Sequence, residues 1–241
     1  MLPDKTFVLK GETCHMSKQS KERLTMLVGA NMDGTEKLPL LEIGKPRKPQ
    51  CFSNTKTFPC KYINNKSAWM TSAIFEGYVR ALDAKMVCNN RKILLFMDHC
   101  PARPVISNLR NIKIEFLPPN STSVLQPMDQ GVIKILKHQF HKHFVSRLIT
   151  RMVNGKTSVH KINILDAMHY FAAVWDTMES KSIENCFKKA GFGNFPTELQ
   201  EINCVTPGTS ACNSWNILQE QLNVSCSFED YVSADDADKK P

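Results

Sequence analysis

The sequence predicts an α/β fold, a mixed β-sheet flanked by helices and followed by a C-terminal helical extension. Three observations lead there. Apolar runs of strand length fall at residues 23–32, 37–43, 93–97 and 112–117. Between and after them, at 68–86 and beyond Pro127, apolar residues recur three or four apart, which is helical spacing. The first two runs are separated by Asp33-Gly34, a pair favoured in tight β-turns, so they read as a hairpin. Strands interleaved with helices build a sheet covered by helices.

In order along the chain, residues 1–21 are polar and mixed, with a short strand expected at 6–10. After the hairpin, GKPRKP at 44–49 alternates proline with basic residues and reads as an extended loop. Lys45, Arg47 and Lys48 could touch phosphate there, although a solvated loop also accounts for them. Thr71-Ser72 supplies an N-cap, and Ile74, Tyr78, Leu82 and Met86 repeat every four residues, so 68–86 contains an amphipathic helix packed on the sheet. Trp69, just before it, reads as a core or staple residue. Ile93–Met97 is an unbroken apolar run, as in a strand buried on both faces. Asp98 stands at its C-terminal end, where open α/β sheets place their chemistry. Pro118-Pro119 closes the strand at 112–117. From Pro127, at a natural first helical position, a helix is expected to about Met152, ending near Asn154-Gly155. Asp129 shares its inward face with Ile133, Leu136 and Phe140. An aspartate aimed at a core is costly unless capped, paired or bound to a metal; one at a helix start can be a simple cap, a reading that the strand-end Asp98 paired with it across one crossover weakens. Further helices follow at 161–178 and 183–190, the latter closed by Gly191. The division expected is a domain over 1–155, a helical extension over 156–195, and a disordered acidic tail over 196–241.

Composition narrows the function classes. No run approaches the roughly 18 apolar residues of a membrane span, and MLPDKTFVLKGE lacks the apolar core of a signal peptide. No membrane partner is expected. Nine cysteines, without C-x-x-C or zinc-module spacing, point to reduced thiols. The net charge of +8 points modestly to a polyanionic partner, and its distribution says more. Between Gln130 and Leu165 there is no acidic residue, while Lys134, Lys137, Lys142 and Arg147 follow one another along the helix. Such a face attracts nucleic-acid phosphates, unless it is only solvated. Arg147 can turn toward the protein instead, because the helical stripe drifts over that length.

Three stretches carry a family resemblance: KQSKERLTMLVGANMDGTEKLPLLEIGK, LLFMDHCPA, and FLPPNSTSVLQPMDQGVIK. They resemble the DDE endonuclease domain of pogo/Tigger-type transposases and their host-derived relatives, the group that includes centromere protein B and jerky. The likeness covers roughly residues 1–192. It implies an RNase H-like fold and Mg2+- or Mn2+-dependent cleavage and transfer of DNA phosphodiesters. It further implies that Asp98 matches the second catalytic aspartate and Asp129 the third, both as metal ligands. The first has no counterpart, since the chain begins after the strand that carries it, so the sheet is expected to lack its first strand. A second departure follows Asp98: the family has Asn next and a His a few residues later, whereas this chain has His99 and Arg103. Arg103 could pair with Asp98 and displace a cation.

Two-metal cleavage needs carboxylates that bridge and flank the ions, and two rarely suffice. Both departures lean toward a transposase-derived domain without catalysis, nuclear, that contacts DNA mainly through its backbone. Chromatin proteins are further candidate partners, and an unpaired sheet edge invites self-association. Two alternatives stay open: an active nuclease whose N-terminus is missing from the sequence, and a protein-interaction module with a vestigial metal site.

Overall fold

The computed structural model describes residues 23–154, 162–193, 215–217, 219 and 227–233. The expected strand at 6–10 lies outside them. The hairpin forms as expected: β1 (Thr25–Leu27) pairs antiparallel with β2 (Leu41–Gly44), Thr25 facing Ile43 and Leu27 facing Leu41. Asp33-Gly34 turns it, with the Gly34 amide donating to Asn31 O at 3.1 Å and the Thr35 amide to the Asp33 carboxylate at 3.0 Å. Gly34 has φ +72°, and a Cβ there would collide with the backbone of Ser180, so the position needs glycine twice over. β3 (Lys61–Asn64) joins β2 in parallel.

Helix α1 (Ser72–Cys88) starts at Thr71, whose hydroxyl accepts the Ile74 amide. Its buried stripe is Phe75, Val79, Leu82 and Met86, not the strict four-residue series through Ile74 and Tyr78. A 3.6-residue turn needs an occasional step of three to keep one face inward. Strand β4 (Ile93–Met97) pairs in parallel with β5 (Ile112–Phe116). α1 covers one face of this pair, with Phe75 and Val79 against Met97. Among the described residues the other face is only partly covered: Leu94 is 49% and Phe96 38% exposed, with the Phe192 ring 4.9 Å from that of Phe96. Burial on both faces, expected from the apolar run, is therefore not met. Among the described residues β1–β3 and β4–β5 form two separate sheets, where one mixed sheet was expected.

After a short helix α2 (Thr122–Leu125), a π-turn (Met128–Val132) leads into α3 (Ile133–Val153). Helices α4 (Ile164–Thr177) and α5 (Ser180–Lys189) complete a helical layer around Val132, Leu136, Trp175, Ile183 and Phe187. α4 opens with a reciprocal capping box between Asn163 and Asp166. Gly131 lets α5 come close, since a Cβ there would lie 2.9 Å from Cys186 Sγ. The hairpin is tied to α4: Lys37 Nζ donates to the carbonyls of Trp175, Asp176 and Met178 at 2.7–3.0 Å, and the Trp175 indole N–H donates to Leu38 O at 3.0 Å. A cation on the last carbonyls of a helix also suits its dipole. Within the tail expected to be disordered, Phe228–Ser233 forms a short helix, α6, and with Trp215 packs on Val145 and Leu148 of α3. Four large apolar or aromatic groups (Trp215, Phe228, Tyr231, Val232) gain burial there, which the acidic composition of the tail conceals.

Trp69, expected as a core or staple residue, is 55% exposed, with the Arg23 guanidinium 5.2 Å from its ring centre.

Candidate functional site

Asp98 leaves the end of β4 and meets Arg103, held five residues on by a turn in which the Arg103 amide donates to Cys100 O at 2.9 Å. The Arg103 guanidinium pairs with the Asp98 carboxylate, both side chains being 20% exposed, and also reaches Asp98 O at 3.4 Å. Burial pushes the Arg103 pKa down, and the negative charge of Asp129 opposes this, so the guanidinium stands within the field of both aspartates. Arginine remains a cation under such shifts. The contact that the sequence suggested between Arg103 and Asp98 is present.

Asp129 is not on the inward face. It is exposed, in the first turn of the π-turn, with its amide donating to Gln126 O at 3.0 Å. A π-turn spends more residues per turn than an α-helix, which shifts the phase of the stripe. Gly131 and Val132 take the buried positions instead, and Ile133 is only half-buried.

Could these groups hold a divalent cation? The Asp98 carboxylate is already matched by a fixed cation, and among the described residues no three His, Cys, Asp or Glu side chains come together as a metal site. A pair of ions needs more carboxylate than this. Among the described residues, Asp98 with its bound Arg103 does not by itself fit Mg2+ or Mn2+.

On α3, Lys134 is exposed and Lys137 and Lys142 are half-buried along the helix. Arg147 turns to the protein: its Nη1 lies 2.9 Å from Asp166 Oδ1 and bonds the Tyr170 hydroxyl, and these partners raise its pKa. Beside the lysines, His138 lies 3.9 Å from Glu229 of α6; burial lowers its pKa, Glu229 opposes this, and Lys142 and Lys134 add to it. The basic helix thus presents lysines next to an acidic segment of the same chain.

One residue escaped the sequence reading. Glu42, in the middle of β2, is fully buried, with Oε1 lacking a hydrogen-bond partner and Oε2 3.8 Å from Cys60 Sγ. Burial pushes its pKa up to about 8, and the Cys60 thiol up to about 12. A lone acid inside the apolar stretch LPLLEI was the available signal.

Residues 21–187 match the profile of the family described as DDE superfamily endonuclease. Over 192 residues the chain is 40% identical to Tigger transposable element-derived protein 4 of Mus musculus, covering 80% of this chain and 37% of that protein. It is 31% identical over 180 residues to the major centromere autoantigen B of Homo sapiens, covering 74% and 29%. ARS-binding protein 1 of Schizosaccharomyces pombe is 35% identical over 184 residues, covering 71% and 35%. The chain thus spans about a third of the length of these curated relatives. No solved structure matches it.

Proposed function

The chain belongs to the DDE superfamily endonuclease family, and from that premise we propose that it is a Tigger/pogo transposase-derived domain that binds DNA through its backbone without cutting it. The observation that carries the proposal is the ion pair of Arg103 with Asp98, which sets a protein cation where the family's chemistry would set a metal ion. The fold reads as RNase H-like, with α4 and α5 as its helical extension. DNA contact falls to Lys134, Lys137 and Lys142, because Arg147 is engaged by Asp166 and Tyr170. Counterion release at such lysines gives affinity without sequence reading. The name of ARS-binding protein 1 and the kinship with a centromere autoantigen support a nuclear, DNA-associated role.

The test is cleavage of supercoiled DNA in magnesium or manganese. The wild type is expected to nick no faster than the double variant Asp98→Ala, Asp129→Ala. Metal-dependent nicking that the double variant loses would overturn the proposal.

A further inference from the structure

Helix α6 lies among the lysines to which DNA contact is assigned above. Lys134, His138 and Lys142 follow one another at intervals of four along α3, so they form one line on its surface. The Glu229 carboxylate of α6 stands 3.9 Å from Nε2 of His138, the middle member of that line. The Phe228 ring meets the His138 ring at 5.1 Å and the Tyr231 ring meets that of His141 at 4.9 Å, both edge-on, and Val145 and Leu148 continue the contact. His138, His141, Val145 and Leu148 share one face of α3. At about 100° of rotation per residue, Lys137 falls on one flank of that face and Lys142 on the other, with Lys134 in line with it one turn earlier.

What holds α6 there is apolar, and what it sets among the lysines is acidic. Phe228, Tyr231, Val232 and Trp215 are buried against Val145 and Leu148, with Phe144 and Ile149 beside them, so the apolar footing of the segment is α3. Six residues are too few for a helix to persist by itself in water, and α6 therefore depends on this contact. Glu229, 63% exposed, faces the lysine line, and the charges of Glu229, Lys134 and Lys142 all act on the His138 ring. A DNA backbone laid along Lys134 and Lys142 has to cross His138, where it meets the Glu229 carboxylate and the body of α6. Phosphate and carboxylate repel each other, so α6 and DNA compete for one face.

Building on the DNA-binding reading above, we propose that α6 with Trp215 is an autoinhibitory strap, which holds the lysine face of α3 in place of phosphate and which DNA must displace to use that face fully. A short segment anchored by four side chains opens locally without unfolding the rest of the chain. The strap thus sets the DNA affinity of the α3 face, and whatever releases it raises that affinity.

The experiment uses the full chain and two duplexes of unrelated sequence, titrated at several salt concentrations, with hydrogen exchange followed at Phe228–Ser233. Glu229→Gln removes the charge of an exposed side chain without touching the packing, and is expected to bind DNA about threefold more tightly than the wild type. Phe228→Ala combined with Tyr231→Ala releases the strap; it is expected to bind about tenfold more tightly and to steepen the slope of log affinity against log salt by about one. Both gains should vanish when Lys134 and Lys142 are also replaced by Gln, and DNA should quicken exchange at Phe228–Ser233 in the wild type. Equal affinities of the wild type and Glu229→Gln, gains that survive loss of the two lysines, or exchange in α6 that DNA leaves unchanged or slows would overturn the proposal. The two readings fail differently: if DNA binding itself is wrong, no form of the chain binds either duplex, whereas a wrong strap leaves wild type and variants binding alike.

Discussion

Replacing Glu42 by Gln should remove a pH dependence of stability that is built into the sheet. Glu42 lies between Met26 and Tyr62 in the strand register, fully buried, with Cys60 Sγ 3.8 Å from its Oε2. Desolvation, the leading cause, raises its pKa from 4.5 in the ordinary state to about 8 in the fold. A carboxyl whose folded pKa is raised is neutral in the fold and ionised in the unfolded chain across the interval between the two values. Folding then takes up a proton, so stability is fully present below about pH 4.5 and declines until the pH passes about 8. At about 1.4 kcal/mol per unit, the decline between pH 5 and pH 8 is roughly 3 kcal/mol. Glutamine cannot ionise, so the variant loses this decline, while its buried amide costs on the order of 1–3 kcal/mol at every pH. Urea denaturation of both proteins at pH 5, 6, 7 and 8 separates the two effects. The difference in unfolding free energy should change steadily with pH in favour of the variant. A difference that stays constant from pH 5 to pH 8 would refute the reasoning.

Replacing Lys134, Lys137 and Lys142 together by Gln should weaken binding equally on two unrelated duplexes and reduce the slope of log affinity against log salt by up to about three; equal slopes would leave this face merely solvated. Arg147→Gln should leave that slope nearly unchanged and lower the melting temperature instead, because its partners are Asp166 and Tyr170. Trp175→Phe removes the indole bond to Leu38 O and should cost about 1 kcal/mol, whereas Trp175→Ala should cost about 3–5 kcal/mol in urea titration. Asp83 accepts the amides of Arg110, Asn111 and Ile112, and these bonds hold its pKa below the ordinary carboxylate value. Its contribution is thus present above the unfolded value and lost as the pH falls through the folded one; Asp83→Asn should flatten acid unfolding, and an unchanged acid limb would contradict this.

The elements with local signals were legible. Asp33-Gly34 announced the hairpin, Thr71 the start of α1, and Gly191, at φ +85°, the end of α5. What the sequence concealed depends on phase and on distant contacts. A single π-turn turned Asp129 outward, and periodicity counted at 3.6 residues cannot reveal it. The partly open face of β4 was hidden because an apolar run reports what a strand could bury rather than what is there to cover it. At the site, the charge of Arg103 and its nearness in sequence made the pairing with Asp98 readable, since both sit on one short connection. The Arg147 contacts come from α4, about twenty residues on, and only a drift of the stripe hinted at them. α6 was masked by its own composition, being acidic in sequence yet held by Phe228, Tyr231 and Val232.

The central claim is that Arg103 occupies the place of a metal ion at Asp98, and titration of the protein with Mn2+ under NMR observation tests it most directly. The wild type should show no saturable paramagnetic broadening at Asp98 or Asp129, and Arg103→Ala should bring broadening to Asp98. Saturable broadening at both aspartates in the wild type would contradict the account.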